Sequence, residues 1–336
     1  MTENLPAAEL NIASKLITIA GPTASGKTAV AVELAKLIGG EVVSADSMQI
    51  YVGMDIGTAK PTVEECAGIP HHMIDVVRPD EAYSAALYQQ HARAVIADIY
   101  ARGRVPILCG GTGFYINAVL YDVLFADDES RQDGCLGIAF KQSEDIDARE
   151  YFADFAAIHG PEKLHLLLRE ADPVAAAGIH SNNIKRVCRA LSYIRTTGQL
   201  FSEYNTTQKE QPPVYDHIFC RLSVDRPVLY ERINRRAQVM FEAGLIDEVT
   251  GLMAQGYQPG LVSMQGIGYK EVARYIQGEC TRDEAIEAVQ QNSRRYAKRQ
   301  ETWFRNQNPH AMVVPVQGTA ADVARGIVAN AISNRP

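Results

Sequence analysis

Short apolar runs alternate with helical patterns in the first third of the chain. Three runs of five residues, each followed by a turn that contains glycine or serine, predict strands: LITIA at 16–20, EVVSA at 41–45 and VPILC at 105–109. Residues 29–38 and 83–100, between these runs, carry apolar side chains at helical spacing. Strand–helix alternation predicts right-handed crossovers and a parallel sheet, whose ligands bind at the carboxyl ends of the strands.

The strand pattern stops at about residue 121 and returns near residue 217. Residues 122–200 predict short, alanine-rich helices that are broken by glycine and proline. HIFCRL at 217–222 then predicts another strand. We therefore expect an α/β fold with a parallel sheet flanked by helices. The motif G-x-x-x-x-G-K-[ST] at 21–28 makes this a sheet of the P-loop NTPase type. Residues 1–121 and 201–336 would form this core, and residues 122–200 an inserted all-helical domain.

The last long helical pattern begins at a capping box, Thr281 with Glu284. An apolar stripe follows at helical spacing, and we interpret it as a core face with the arginines turned outward. The stripe consists of Ile286, Val289, Tyr296 and Trp303.

Composition excludes several classes of protein. The 336 residues are 46% hydrophobic and 22% charged, and no apolar run approaches the roughly 18 residues that a membrane-spanning helix needs. The first 14 residues show neither a secretory signal nor a mitochondrial presequence, so we expect a cytoplasmic protein. Six scattered cysteines without a CxxC pair argue against a disulfide framework and a zinc site.

Net charge and charge distribution point in different directions. A net charge of −7 by itself argues against a nucleic-acid partner. Two stretches are nevertheless strongly basic, 185–195 and 294–305. Such runs are most often solvated helix faces, but two of them in an acidic protein leave an RNA-binding surface open.

Residues 21–28 match the pattern G-x-x-x-x-G-K-[ST] between a predicted strand and a predicted helix. The backbone N–H groups of such a loop face one anion, and the helix N-terminus adds its positive dipole. Lys27 would add a positive charge, and the hydroxyl of Thr28 would bind Mg²⁺ together with polyphosphate oxygens and waters. The predicted phosphate-binding residues are Gly21, Pro22, Thr23, Ala24, Ser25, Gly26, Lys27 and Thr28.

The ends of the other strands narrow the reaction class. Asp46 follows the strand at 41–45, at the mouth of the same crevice as Lys27, although a turn or helix-cap aspartate is an alternative. The strand at 105–109 leads into Gly110–Gly113, where many motor NTPases would place a metal-binding aspartate. A nucleotide-hydrolysing motor is therefore disfavoured, and a transferase that holds a polyphosphate or diphosphate remains.

Seven segments together resemble the tRNA dimethylallyltransferases, also called tRNA isopentenyltransferases. GGTGFY and DSMQIY carry more of this resemblance than the phosphate loop does. The segments are GPTASGKT (21–28), ADSMQIYVGMDIGTAKP (45–61), IPHHMID (69–75), GGTGFYINAVL (110–120), DRPVLYERINRR (225–236), GIGYKE (266–271) and RRYAKRQETWFR (294–305).

The resemblance implies transfer of a dimethylallyl group from dimethylallyl diphosphate to N6 of the adenosine 3′-adjacent to the anticodon, position 37, in tRNAs that read UNN codons. It implies Asp46 as the general base. Lys27 and a distal arginine would stabilise the diphosphate leaving group; Arg226 is the best match for this arginine, and Arg232 competes with it. The expected partners are tRNA and dimethylallyl diphosphate, with Mg²⁺ as cofactor, and we expect a monomer.

The resemblance also implies a set of residues that contact tRNA. Basic members would neutralise phosphates and Tyr269 could stack on a base, whereas a structural glycine turn is the alternative for 266–268. We interpret the adjacent His71 and His72 as structural. The set is Asp46, Ser47, Met48, Gln49, Thr112, Lys185, Arg186, Arg189, Gln265, Gly266, Ile267, Gly268, Tyr269 and Lys270.

Two other functions fit part of the chain. A small-molecule or nucleoside monophosphate kinase also pairs a phosphate loop with an aspartate after the second strand, but leaves the segments 266–271 and 294–305 unexplained. An RNA-binding module with a relic phosphate loop is disfavoured because Lys27 and Thr28 are both present.

Overall fold

The computed structural model describes residues 14–123 and 142–333. The chain divides into two compact units, one formed by Met1–Leu120 with Pro213–Pro336 and the other by Tyr121–Pro212. The expectation about the first 14 residues rests mainly on residues 1–13, which lie outside the described residues. None of the helices in the described part of the chain is long and apolar enough to cross a membrane.

The elements follow one another as the alternation predicts. The strands are β1 (Leu16–Ala20), β2 (Gly40–Ser44), β3 (His71–His72), β4 (Val105–Gly110), β5 (His217–Ser223) and β6 (Met312–Pro315). The helices are α1 (Lys27–Ile38), α2 (Val63–Cys66), α3 (Ala85–Ala101), α4 (Gly113–Leu120), α5 (Gln142–His159), α6 (Pro161–Ala171), α7 (Pro173–Gly178), α8 (Ile184–Thr197), α9 (Phe201–Glu210), α10 (Arg226–Glu242), α11 (Leu245–Ala254), α12 (Tyr269–Ile276), α13 (Arg282–Gln307) and α14 (Ala320–Ser333).

The strands within the described residues form one parallel sheet in the order β3-β2-β4-β1-β5-β6. In this sheet Ala20 of β1 is level with Gly110 of β4, and Ser44 of β2 is level with Cys109. The turns that leave β1, β2 and β4 therefore lie side by side at one edge. The predicted α/β class with a parallel sheet flanked by helices is confirmed.

Helices cover both faces of the sheet, so its central strands are buried throughout. On one face, α1 and α14 pack on apolar side chains of β1, β2, β4, β5 and β6, with Leu34 and Ile327 fully buried. On the other face Tyr88 of α3 is fully buried and donates a hydrogen bond to Ser44 O at 2.8 Å. Phe304 of α13 packs against Phe219 of β5 on this face, 6.3 Å between ring centroids.

A second apolar core of the first unit joins α10, α11, α12 and α13 to the segment that follows β2. Met54, Leu245, Met264 and Val272 are fully buried in it. The capping box of α13 forms as predicted: Glu284 N donates to Thr281 Oγ1 at 3.3 Å and Thr281 N to Glu284 Oε2 at 2.7 Å.

The second unit is helical in its described residues and has its own core around Leu164, Leu168 and Val187. Its helices break where glycine and proline predict, since α6 begins at Pro161, α7 at Pro173, and α8 ends before Gly198.

The second unit extends beyond residue 200, the boundary that the sequence predicts, and includes α9. The buried carboxylate of Asp172 explains this difference, because it accepts from Ala175 N at 2.9 Å in α7 and from Ser202 N at 2.8 Å in α9. Burial opposes ionisation of Asp172, but these backbone N–H groups outweigh it and lower its pKa. α9 is thereby fixed to the helical unit.

Candidate active site

The phosphate loop connects β1 to α1 in the strand–loop–helix context that its motif requires. Ala24 and Gly26 have left-handed backbones, with φ of 62° and 87°, which curl the loop ahead of the helix N-terminus. Lys27 folds back over the loop and donates from Nζ to Pro22 O at 2.7 Å. Burial lowers the pKa of Lys27 from 10.5 to about 8, so a bound anion would stabilise its charged form.

The turns after β2 and β4 are joined by hydrogen bonds. Ala45 N donates to Cys109 O at 2.8 Å, Thr112 N to Ala45 O at 3.0 Å, and Ser47 N to Thr112 Oγ1 at 3.0 Å. This close approach requires glycine at 110, because a Cβ there would lie 2.1 Å from Ala45 O. Ser47 and Thr112, both predicted site residues, therefore meet at the sheet edge.

Asp46 combines the two roles that the sequence left open. Its Oδ1 accepts from Met48 N at 2.9 Å, which is the turn-capping role. Its carboxylate also lines a cavity, and its negative charge raises the pKa of both Lys27 and Arg236 against the stronger effect of burial. Asp46 is thus held by its turn in an electropositive part of the cavity.

The cavity has a volume of about 330 Å³ and lies next to the sheet edge within the first unit. The segment after β2, helix α10, the segment 265–270 and one face of α13 form its walls. The lining residues are Thr23, Asp46, Ser47, Met48, Gly57, Thr58, Ala59, Ile233, Arg236, Ala237, Met240, Gln265, Gly266, Ile267, Tyr269, Lys270, Val289, Ser293, Tyr296 and Arg299.

Arg236 is an arginine of this site that sequence reasoning missed. It lies partly buried on α10 between Ile233 and Ala237, which also line the cavity, and burial lowers its pKa. Arg226 and Arg232 are exposed, and neither lines this cavity. The spacing i, i+3, i+4 from Ile233 places Arg236 on the cavity face, and this periodicity was the signal available in the sequence. A role of Arg226 toward the diphosphate stays a prediction.

The position of Tyr296 shows that the α13 stripe is not simply a core face. Its ring lines the cavity, and the pKa of its phenol is raised to about 12, mainly by burial and further by the charge of Asp46. The guanidinium of Arg299 lies 5.6 Å from the centroid of this ring and also lines the cavity. One face of α13 therefore supplies polar groups to the site.

Tyr269, which the resemblance places against tRNA, lies in a wall of the cavity. The residue is fully buried, and its Oη donates to Glu248 Oε1 at 2.6 Å. Its ring lies so close to Gly57 that a Cβ there would come within 2.4 Å of it. Burial and the adjacent carboxylate raise its pKa well above the usual range. Tyr269 therefore supports the cavity wall that it also lines, and a role of its ring toward tRNA stays a prediction.

Glu248 of α11 organises the segment that Tyr269 supports. Its carboxylate accepts three backbone N–H groups in succession, from Asp55 at 3.0 Å, Ile56 at 2.7 Å and Gly57 at 3.1 Å. With Tyr269 Oη this makes four hydrogen bonds to one carboxylate. Glu248 was also missed by the sequence analysis, because the contact joins segments nearly two hundred residues apart.

The remaining predicted residues of the segment after β2 have different surroundings. Met48 lines the cavity and packs against Gly266, where a Cβ would lie 2.5 Å from Met48 Cε. Gln49 instead accepts from Ser44 Oγ at 2.9 Å and donates to Ala59 O at 3.2 Å. Gln49 therefore braces the loop in this conformation.

Residues 265–270 contribute both side chains and backbone shape. Gln265, Ile267 and Lys270 line the cavity. Gly268 has a positive φ of 102° and is the N-cap residue of α12. The glycine turn therefore has a structural role, and a contact of these residues with tRNA stays a prediction.

The basic run at 185–195 lies in the second unit. Lys185, Arg186 and Arg189 are all exposed on α8, whereas Val187 and Leu191 are buried in the core of that unit. The three bases therefore share the solvent side of one helix.

His71 and His72 lie in β3 and take structural hydrogen bonds. His71 Nδ1 is 2.9 Å from Ile69 O, and His72 Nε2 is 2.8 Å from the buried carboxylate of Glu41. Arg102 pairs with the same carboxylate and is the main cause that lowers the Glu41 pKa to about 2. Among the described residues no cluster of three His, Cys, Asp or Glu side chains could hold a metal ion.

A comparison with known protein families agrees with this geometry. Residues 49–307 match the model of the IPP transferase family. The chain belongs to the IPP transferase family. The tRNA dimethylallyltransferase of Bacillus pumilus is 51% identical over 294 residues, which cover 87% of this chain and 86% of that protein. The tRNA dimethylallyltransferase of Shouchella clausii is 48% identical over 293 residues, 87% of this chain and 89% of that protein.

Solved structures extend the likeness over nearly the whole chain. The tRNA isopentenylpyrophosphate transferase of Bacillus halodurans superposes with a TM-score of 0.67 at 42% identity, covering 95% of this chain and 97% of that one. A eukaryotic dimethylallyltransferase captured acting on tRNA superposes with a TM-score of 0.79 at 28% identity, covering 96% of this chain and 80% of that one.

Proposed function

We propose that this enzyme transfers a dimethylallyl group from dimethylallyl diphosphate to N6 of adenosine 37 in tRNAs that read UNN codons. The observation that carries the proposal is the position of Asp46. Its carboxylate lines the cavity at the sheet edge where the turns of β1, β2 and β4 lie side by side, near the phosphate loop and Arg236. Prenyl transfer to an amine requires a general base next to a site that binds the diphosphate anion.

The diphosphate binds at the phosphate loop in this proposal. As the allylic C–O bond breaks, its electron pair goes to the diphosphate oxygen, and positive charge spreads over the prenyl unit. The loop amides and Lys27 stabilise the growing negative charge, and Arg236, which lines the cavity, adds a further positive charge to the site. Lys27, whose pKa is about 8, is protonated at neutral pH and gains a counter-ion when the diphosphate binds.

Asp46 activates the acceptor. The N6 nitrogen forms a bond to the prenyl carbon, and a proton on N6 passes to the Asp46 carboxylate. Because one carboxylate oxygen is fixed by Met48 N, the side chain is oriented before the adenine arrives. Met48 and Ile267 provide an apolar lining beside it, suited to a planar base or to the prenyl tail.

The residues at the start of α1 fit a magnesium ion held together with the diphosphate. Thr28 follows Lys27 in the first turn and offers a hydroxyl that would hold the ion, together with phosphate oxygens and waters. A protein cage of carboxylates is not needed for this arrangement. When bound, the ion would neutralise diphosphate charge.

We further propose that the second unit binds the anticodon arm through α8. Exposed Lys185, Arg186 and Arg189 provide a cationic helix side suited to RNA phosphates. Adenosine 37 must leave its stacked loop to reach Asp46, so base flipping is part of the proposal. We expect the enzyme to act as a monomer in the cytoplasm, where its tRNA substrate is found.

Incubation with each of two donors in turn tests this function. Purified enzyme is incubated with Mg²⁺, unmodified tRNA, candidate small-molecule acceptors and either dimethylallyl diphosphate or ATP. Release of inorganic pyrophosphate, labelling of tRNA and phosphorylation of the small acceptors are followed. We expect stoichiometric prenylation and pyrophosphate release with the first donor only. Phosphoryl transfer from ATP to a small acceptor, without prenylation, would favour the kinase alternative.

A further inference from the structure

Gln300 of α13 joins the phosphate loop to the turn after β4. The residue is 6% exposed. Oε1 accepts from Thr23 N at 2.9 Å, and Nε2 donates to Gly111 O at 2.9 Å. A single buried amide therefore satisfies one backbone group in each of two loops that the fold brings to the same sheet edge.

The backbone of the β4 turn is shaped to admit α13 at this point. A Cβ at position 111 would lie 2.3 Å from Gln300 Nε2, and a Cβ at position 113 would lie 2.1 Å from the ring of Trp303. Glycine at 113 thus leaves room for the Trp303 ring and glycine at 111 for the end of the Gln300 side chain, at contacts about one helical turn apart. The approach is what brings the Gln300 amide within reach of Gly111 O.

A path of hydrogen bonds and peptide bonds leads from the Gln300 amide to Asp46, the proposed general base. Gly111 precedes Thr112, whose Oγ1 accepts from Ser47 N at 3.0 Å, and Ser47 follows Asp46 directly. In the other direction the amide holds Thr23, which lies in the loop that receives the diphosphate. Gln300 therefore lies between the elements that carry the leaving-group site and the general base.

We propose that Gln300 is a positioning residue that sets the separation between the phosphate loop and the Asp46 turn. This inference rests on the proposed prenyl transfer. The reaction needs the diphosphate, the prenyl carbon and N6 aligned at once, and misplacement by about 1 Å can cost about 100-fold in rate. Removing the amide leaves Thr23 N and Gly111 O without this partner and frees the two loops to shift independently.

The side chain needs both a donor and an acceptor at full glutamine length. Gln300→Met keeps the approximate shape and removes both polar groups. Gln300→Asn keeps the amide but is one methylene shorter, so it reaches at most one of the two backbone groups. Both variants should therefore lose the link between the phosphate loop and the turn after β4. Only Gln300→Met leaves Thr23 N and Gly111 O with no amide nearby.

The test compares these variants with the wild type and with Gln290→Met. Gln290 lies on the same helix and donates to Asn234 O at 3.3 Å, outside the cavity lining. Single-turnover prenylation at saturating substrates, calorimetric binding of inorganic pyrophosphate, tRNA affinity and thermal unfolding are measured for each protein. We expect Gln300→Met and Gln300→Asn to slow the chemical step about 10- to 100-fold and weaken pyrophosphate binding, with tRNA affinity unchanged. Gln290→Met should match the wild type.

Wild-type rates per folded molecule in both Gln300 variants would overturn the inference, even if their unfolding temperatures fell. That result would make Gln300 a residue of stability alone and would leave prenyl transfer intact. Failure of the wild type itself to prenylate tRNA or to bind pyrophosphate would instead contradict the proposed function.

Discussion

At the residue scale, the Asp46→Asn variant distinguishes an effect on the chemical step from an effect on tRNA binding. Asparagine at this position retains the Oδ1 acceptor for Met48 N, so the turn should persist in Asp46→Asn. An amide does not take up the proton of N6, and we expect the chemical step to slow by about 10²–10⁴ while tRNA still binds. Gel-shift titration with single-turnover kinetics measures both. A variant with weak tRNA binding but a normal rate once bound would contradict the role of Asp46 as base.

Lys27 gives a pH-dependent prediction. Burial lowers its pKa from 10.5 to about 8, so between pH 8 and 10 the unfolded chain holds more of its proton than the folded protein does. Folding stability conferred by this group therefore rises with pH in that window. Lys27→Met removes this dependence and one cationic contact to the diphosphate.

We expect the unfolding temperature of the wild type, relative to Lys27→Met, to increase between pH 8 and pH 10. Other titrating groups are shared by the two proteins and cancel in this difference. Pyrophosphate affinity of the wild type should fall above pH 8 as Lys27 loses its proton, and that of the variant should be weak throughout. A stability difference that is flat or falls across this window would place Lys27 in a different environment from the one described.

At the element scale, α11 holds the cavity wall through Glu248. The carboxylate receives three backbone N–H groups and one phenol, whereas the amide of Glu248→Gln would turn an NH₂ group toward some of these donors. We expect a loss of about 1–3 kcal/mol in the free energy of unfolding. Gly57, Thr58 and Ala59, which line the cavity, should become more protease-sensitive.

The matched control is Asp247→Asn, a change of the exposed neighbouring carboxylate on α11. Urea unfolding and limited proteolysis of both variants give the comparison. Equal stability of Glu248→Gln and Asp247→Asn would show that the four hydrogen bonds do not hold this wall.

The prediction for RNA binding concerns the basic residues of helix α8. Replacing exposed Lys185, Arg186 and Arg189 together by glutamine should weaken tRNA binding and flatten the slope of log affinity against log salt by about two to three units. Binding of dimethylallyl diphosphate should hardly change. Filter binding across a salt series checks this, with Lys163 and Arg169 of the same unit replaced as the control. An unchanged slope in the triple variant would leave α8 as a merely solvated helix.

At the scale of the whole molecule, local patterns predicted the parallel sheet and the phosphate loop well. β1 has the predicted bounds, and the phosphate loop needs only one strand–loop–helix unit to be recognised. β3 and β6 were missed because runs of two and four residues carry too little periodicity. The boundary at residue 200 was wrong because the contact of Asp172 with Ser202 joins distant positions.

The site residues that the sequence analysis missed all depend on tertiary contacts. Arg236 and Tyr296 lie on helix faces next to buried residues. The sequence pattern of an apolar or amphipathic stripe is the same whether the stripe faces a core or a cavity. Gln300 is a buried polar side chain that bridges two loops, a contact that the local sequence pattern does not predict. Tyr269 was predicted as a site residue, but its burial and its hydrogen bond to Glu248 were not. Long-range packing, which the one-dimensional pattern does not contain, decided each of these placements.

Mass spectrometry of tRNA after treatment with the enzyme tests the central claim most directly. Unmodified tRNA that reads UNN codons is incubated with dimethylallyl diphosphate and either the wild type or Asp46→Asn, then digested to oligonucleotides and nucleosides. The account predicts N6-isopentenyladenosine at position 37 with the wild type, and little or none with the variant over the same time. An unmodified position 37 after treatment with folded wild-type enzyme, or equal product from Asp46→Asn, would contradict it.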